Sequence, residues 1–143
     1  MIKTVAVGTD GSETAGKAVS AALELAERYG ASLVVLSAFN GGSGAAAAPR
    51  LSPSAHPEWT SNAAEQVERI LAVAEESATE RGIECSTAMA EGNAGEVLVD
   101  LADRHGADVL VVGSKGMERR VLGSVPNTVT HKASCSVLVV KTA

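Results

Sequence analysis

Val109-Leu110-Val111-Val112-Gly113-Ser114-Lys115-Gly116-Met117-Glu118-Arg119-Arg120-Val121-Leu122-Gly123-Ser124-Val125 decides the fold of this 143-residue chain. Its first four residues are apolar without a break, as in a strand buried on both faces. Gly113 ends that strand. Gly116 and Gly123 follow, and Ser124 stands where a helix N-cap is expected. A strand that stops at glycine, a loop of spaced glycines and a helix start can cradle an anion, because bare backbone N–H groups and the positive helix end converge there. Arg119 and Arg120 add charge to the loop. Neither the P-loop spacing nor the dinucleotide fingerprint is present. On the loop alone, a βα-turn whose glycines serve only tight turning remains an equal alternative.

Outward from this stretch the same pattern repeats. Thr4–Thr9 is a β-branched run read as strand one, and Asp10-Gly11-Ser12 breaks it. Ser12 is expected to cap a helix whose stripe is Ala15, Ala18, Val19, Ala22, Leu23, Leu25 and Ala26, running to Tyr29 before Gly30. Ser32–Phe39 is strand two. Asn40–Thr60 is poor in large apolar side chains and rich in Gly, Pro and Ser, so it reads as a mobile excursion with Trp59 anchoring its far end. Ser61–Arg81 is a helix stopped by Gly82. Ile83–Ala90 is a more polar strand three, suited to a sheet edge. Asn93 is expected to cap a helix carrying Val97, Leu98 and Leu101 and ending near Gly106. Ser124–Lys132 is a short helix with Pro126 in its first turn, and Ser136–Lys141 is the last strand.

Alternating strands and helices predict a single α/β domain over residues 1–143. It is a doubly wound, open, five-stranded parallel sheet of order 3-2-1-4-5, with helices on both faces. The switch point then falls between strands one and four, where such sheets bind ligands. That order brings Thr9, Asp10, Gly11 and Ser12 beside Gly113 and its loop.

Composition narrows the function. Hydrophobic residues make up 45% of the chain and aromatics 2%, so the core must be Val, Leu, Ile and Ala. The apolar runs are too short to span a bilayer. Met1-Ile2-Lys3 leads straight into a strand, so no signal peptide and a cytoplasmic location are expected. A net charge of −5 argues against duplex nucleic acid as partner. Cys85 and Cys135 belong to no Cys-x-x-Cys pair and read as small, buried or half-buried residues. His56, His105 and His131 are scattered and form no catalytic arrangement. No metal site is expected.

Val7-Gly8-Thr9-Asp10-Gly11-Ser12, Val111-Val112-Gly113-Ser114-Lys115-Gly116, Leu122-Gly123-Ser124-Val125-Pro126-Asn127 and Cys135-Ser136-Val137-Leu138-Val139-Val140 together resemble the universal stress protein family. The resemblance covers the chain apart from Asn40–Thr60. It implies the same five-stranded fold, a homodimer through the last strand, here Ser136–Lys141, and a stress-response role through an adenine nucleotide, ATP foremost, with magnesium as companion. By position it implies Asp10 as the adenosine contact, Thr9 beside it, and Ala38 as the backbone meeting adenine. Gly113, Gly116, Gly123 and Ser124 match the family's glycine motif, Val125 follows at the pocket, and Arg119 and Arg120 stand in the phosphate loop.

One departure is visible. The family's ATP-binding members place nine residues between the second and third motif glycines, whereas six separate Gly116 from Gly123. Three residues are worth up to roughly 10 Å of extended chain. The competing expectation is therefore a dimeric interaction module of the same family that binds no nucleotide. Catalysis is expected to be absent or limited to slow ATP hydrolysis.

Overall fold

A computed structural model describes residues 1–39, 57–114 and 123–142, with the side chains of 57–62 excepted. In order it contains β1 (Thr4–Gly8), α1 (Glu13–Tyr29), β2 (Ser32–Phe39), α2 (Pro57–Glu80), β3 (Cys85–Glu91), α3 (Ala94–Arg104), β4 (Val109–Gly113), α4 (Ser124–Lys132) and β5 (Ser136–Val140). The five strands form one parallel sheet ordered β3-β2-β1-β4-β5, as expected from the alternation. None of the described helices is long and apolar enough to cross a membrane.

The unbroken apolar strands are explained by what covers them. Side chains alternate across a strand. Val5 and Val7, Leu33 and Val35, and Val109 and Val111 pack on one face, against Ala18, Ala22 and Ala26 of α1 and Val67, Leu71 and Ala74 of α2. The intervening Ala6, Val34, Leu36, Leu110 and Val112 pack on the other face, against Leu98, Leu101 and Ala102 of α3 and Val129 of α4. The middle positions of the central strands therefore face a core on one side of the sheet or the other. Each fully buried Leu or Val, such as Leu33, Leu36 or Val111, contributes about 1.5–3 kcal/mol relative to exposure.

The helix ends follow their local chemistry. Ser12 caps α1, its Oγ accepting from the Ala15 amide at 3.1 Å. Gly30 closes that helix at φ 63°, a left-handed position that suits glycine. Asn93 caps α3 through a bond from the Glu96 amide at 3.2 Å.

Some boundaries differ from expectation. α2 begins at Pro57, so the last four residues of the expected 40–60 excursion are helical. Proline has its φ preset for a first helical turn and needs no N–H partner there. Residues 40–56 and the Trp59 side chain lie outside the described residues. β3 begins at Cys85 rather than Ile83, because the Ile83 amide still closes the end of α2 on the Ala78 carbonyl at 2.9 Å. The N-cap of α4 is Gly123, not Ser124. Ser124 is the first helical residue, and among the described residues no side chain caps the helix. β5 ends at Val140, one residue short of Lys141.

Candidate functional site

Parallel strands all end at the same side of the sheet. The chains leaving β1 and β4 part in opposite directions there, because β2 and β5 lie on opposite sides of the pair. The parting opens a cavity of about 380 Å³. That is within the usual range for small-molecule sites.

The β1 side of the cavity is built by the turn into α1. Thr9 has left the sheet, but its amide still donates to the Leu36 carbonyl at 3.0 Å. Its own carbonyl accepts from the buried Ser37 hydroxyl at 2.7 Å. Thr9 Oγ1 accepts from the Gly11 amide at 3.1 Å, and Asp10 Oδ1 accepts from the Ser12 amide at 2.9 Å. These bonds set the tight turn and fix where the Asp10 carboxylate stands. Gly11 takes φ 81°, and a Cβ there would come 2.6 Å from Ile70 Cδ1. Ser12, Thr14 and Ala15 continue this wall along the first turn of α1, and Ala38 enters from β2.

The opposite wall comes from β4, β5 and α4. Val112 and Gly113 end β4, and Ser124, Val125 and Pro126 present the first turn of α4. Any α-helix leaves its first amides without intrahelical acceptors. Here the cap is Gly123, which has no side chain to take them, and among the described residues no side-chain cap is formed. Thr142 closes the end of this wall, and Ala94 and Leu98 of α3 line the cavity as well. Among the described residues the lining thus combines apolar faces with hydroxyls, the Asp10 carboxylate and the N-terminus of α4, which has no side-chain cap there. An ionised carboxylate can only accept, so Asp10 suits a hydroxyl or amino donor. The N-terminus of α4 suits an anion.

Of the residues named from sequence, Thr9, Asp10, Ala38, Gly113, Ser124 and Val125 come together on this one cavity. Gly123 adjoins it as the cap of α4. Gly116, Arg119 and Arg120 lie outside the described residues, as does Lys115. Among the described residues no group of three His, Cys, Asp or Glu side chains is placed to hold a metal. Ser12, which the strand order brought to this crevice, lines it as well; sequence reasoning did not place Gly8, Thr14, Ala15, Ala94, Leu98, Val112, Pro126 and Thr142 here. Most are immediate neighbours of residues it named. Thr142 is brought here by the β4–β5 register, in which Gly113 pairs with Val140, and no local sequence signal announces it.

The two cysteines are free and half-buried. Burial, with Glu75 nearby, pushes the Cys85 thiol up to about 11, and burial also raises Cys135. Neither is a ready nucleophile. His105 caps the end of α3 and His131 sits in the last turn of α4, both outside the cavity lining.

A family model described as the universal stress protein family matches residues 1–141. The chain is 36% identical to universal stress protein Rv1636 of Mycobacterium tuberculosis over 144 residues, covering 98% of this chain and 97% of that one. It is similar, at 32% identity and a TM-score of 0.75, to a universal stress protein whose crystal structure was solved in complex with cAMP, with 99% and 98% of the two chains covered. UspA of Lactobacillus plantarum shares the fold, with a TM-score of 0.80, 23% identity and 97% of each chain covered.

Proposed function

The chain belongs to the universal stress protein family, and from that membership and the walls of its cavity we infer that it binds an adenine nucleotide at the β1–β4 switch point. The observation that carries this reading is the meeting of Asp10 and the N-terminus of α4 in one crevice. An acceptor and an anion site, separated by an apolar bed, match a nucleoside at one end and a phosphate at the other. The adenosine half lies along Thr9, Asp10 and Ala38. The phosphate end lies at Gly113, Ser124 and Val125, with Gly116, Gly123, Arg119 and Arg120 supplied by the glycine loop. The cAMP-bound relative supports the adenine part of the assignment. The Gly-x2-Gly beginning of the loop and its closing Gly-Ser support ATP as one ligand, with magnesium accompanying its phosphates. The protein acts in the cytoplasm as a stress-response protein that works through its ligand-bound state rather than through turnover.

Purified protein is denatured, and the released small molecules are identified by mass spectrometry. Calorimetry then measures ATP, ADP, AMP and cyclic AMP against the wild type and Asp10→Ala. Removing a charged hydrogen-bond acceptor costs about 1.5–3 kcal/mol, so the variant should bind at least tenfold more weakly while remaining folded. Equal affinity in both proteins removes Asp10 from the site. No affinity for any of the four nucleotides overturns the assignment.

A second reading has its own observation. The six residues between Gly116 and Gly123, against nine in the family's ATP-binding members, favour an interaction module that binds no nucleotide. Both readings include a homodimer through Ser136–Lys141. β5 is an edge strand among the described residues, and Leu138 on it is 40% exposed. Unpaired strand edges with apolar side chains invite pairing with another chain. Sedimentation at micromolar concentration tests this, and a monomer there argues against it.

A further inference from the structure

Thr142 lies two residues beyond β5, is 4% exposed and lines the cavity. Its backbone is held from two directions. Its amide donates to the Ser114 hydroxyl at 3.0 Å, and its carbonyl accepts from Lys17 Nζ of α1 at 3.3 Å. Ser114 is fully buried and follows β4 directly, and its amide donates to the Val140 carbonyl at 2.9 Å. The β4–β5 ladder is thereby continued by one bond past Gly113 and then tied back through Thr142. The Thr142 methyl also packs on Gly113, where an added Cβ would approach Cγ2 to 3.1 Å.

The hydroxyl of Thr142 is less well served. Its contact with Ser114 Oγ is 3.5 Å, long for an O–H···O bond, whose usual range is about 2.5–3.0 Å. A buried hydroxyl on a cavity-lining residue, whose side-chain contact among the described residues is this long one, gains from a polar atom placed within its reach. Thr142 stands beside Gly113, on the wall assigned above to the phosphate.

We propose that Thr142 donates its hydroxyl to a phosphate oxygen of the bound nucleotide and, through its backbone ties, makes the edge strand β5 respond to cavity occupancy. The proposal rests on the adenine-nucleotide reading of this cavity. Ligand pulls on the residue that closes the β4–β5 ladder, so the Ser136–Thr142 segment becomes more protected when the cavity is filled. The last strand would then offer a different edge in the filled and empty states. Thr142 is a binding and positioning residue in this scheme.

The test uses cyclic AMP as probe, with calorimetry and amide hydrogen exchange on the full chain. Thr142→Val keeps the shape and the contact with Gly113 but removes the hydroxyl. Thr142→Ser keeps the hydroxyl. Saturating cyclic AMP should slow exchange in residues 136–142 of the wild type by threefold or more. Thr142→Val should bind five- to tenfold more weakly and lose that slowing at saturation, whereas Thr142→Ser should stay within twofold of the wild type on both. Unchanged exchange in the saturated wild type overturns the proposal even if Thr142→Val fails to fold. Wild-type affinity and wild-type slowing in Thr142→Val overturn it as well. In both cases nucleotide binding itself stands. If the wild type binds none of the four adenine nucleotides, the reading of the cavity falls and this proposal falls with it.

Discussion

Gly95 of α3 packs directly against Thr128 of α4: a Cβ on Gly95 would sit 2.7 Å from Thr128 Cβ. That atom is next to the backbone of α4 and cannot swing aside, as the tip of a long side chain would. The contact sets the distance between the two helices on this face of the sheet. It also sets the placement of α4, whose first turn forms one wall of the cavity.

Gly95→Val should therefore force α4 outward. Overpacking of this kind costs about 1–3 kcal/mol. For a domain of this size the melting temperature should fall by roughly 4–10 °C, read by circular dichroism. An unchanged melting temperature would show that the helices separate without resistance.

Gly16 and Gly11 should respond oppositely to alanine. Gly16 is exposed on α1 with no atom within 4 Å of an added Cβ, so Gly16→Ala should stabilise by up to about 1 kcal/mol through helix propensity. Gly11 has φ 81° and would collide with Ile70, so Gly11→Ala should destabilise by about 1–3 kcal/mol. It should also weaken nucleotide affinity by displacing Asp10. Urea unfolding of the pair at equal m-value measures the difference, and the same sign for both would contradict it.

Asp108 makes stability depend on acid pH. Its Oδ2 accepts from the amides of Lys3 at 2.8 Å and Thr4 at 3.0 Å, tying the start of β1 to the start of β4. These bonds to the charged form hold its carboxyl below the usual range, ahead of smaller contributions from nearby positive charge. A carboxyl that is more acidic in the folded chain than in the unfolded one stabilises above the unfolded value, near pH 4. That contribution is lost as pH falls through the folded value. The gap in urea midpoint between wild type and Asp108→Asn should be steady from pH 7 to 5 and shrink below pH 4. A gap that grew on acidification would have the wrong sign.

Cys85 should be slow to alkylate. With its thiol raised to about 11, it carries little thiolate at pH 8. Allowing for the greater nucleophilicity of a more basic thiolate, iodoacetamide should modify it about tenfold more slowly than free cysteine. Unfolding in urea should abolish the difference. Fast labelling of Cys85 in the native protein, located by peptide mapping, would contradict the burial.

Much of the fold was legible because buried parallel strands leave a strong local trace. Leu33-Val34-Val35-Leu36 and Val109-Leu110-Val111-Val112 read as strands buried on both faces, and both are. The half-polar Ile83–Ala90 run read as an edge, and β3, over Cys85–Glu91, is one among the described strands. Errors fell at ends, where one backbone bond decides. Ser124 is a good cap by residue type, yet the chain enters the helix one residue earlier and Gly123 takes the place. Pro57 starts α2 inside a stretch that looked irregular from composition. In the cavity, residues adjoining the strand ends were found because switch points follow from strand order. Leu98 and Thr142 were not, since neither carries a local signal of its role.

The sequence by itself determined the alternation of strands and helices, the parallel sheet and the region of its crevice. Those features follow from side-chain periodicity and turn chemistry, which act over a few neighbouring residues. Only the tertiary structure decided that Thr142 meets Ser114, that Asp108 ties down Lys3 and Thr4, and that Gly95 bears on Thr128. These contacts join segments 28 to 105 residues apart. Their geometry depends on how the strands stack and how closely the helices settle on them, and no short stretch of chain contains that information.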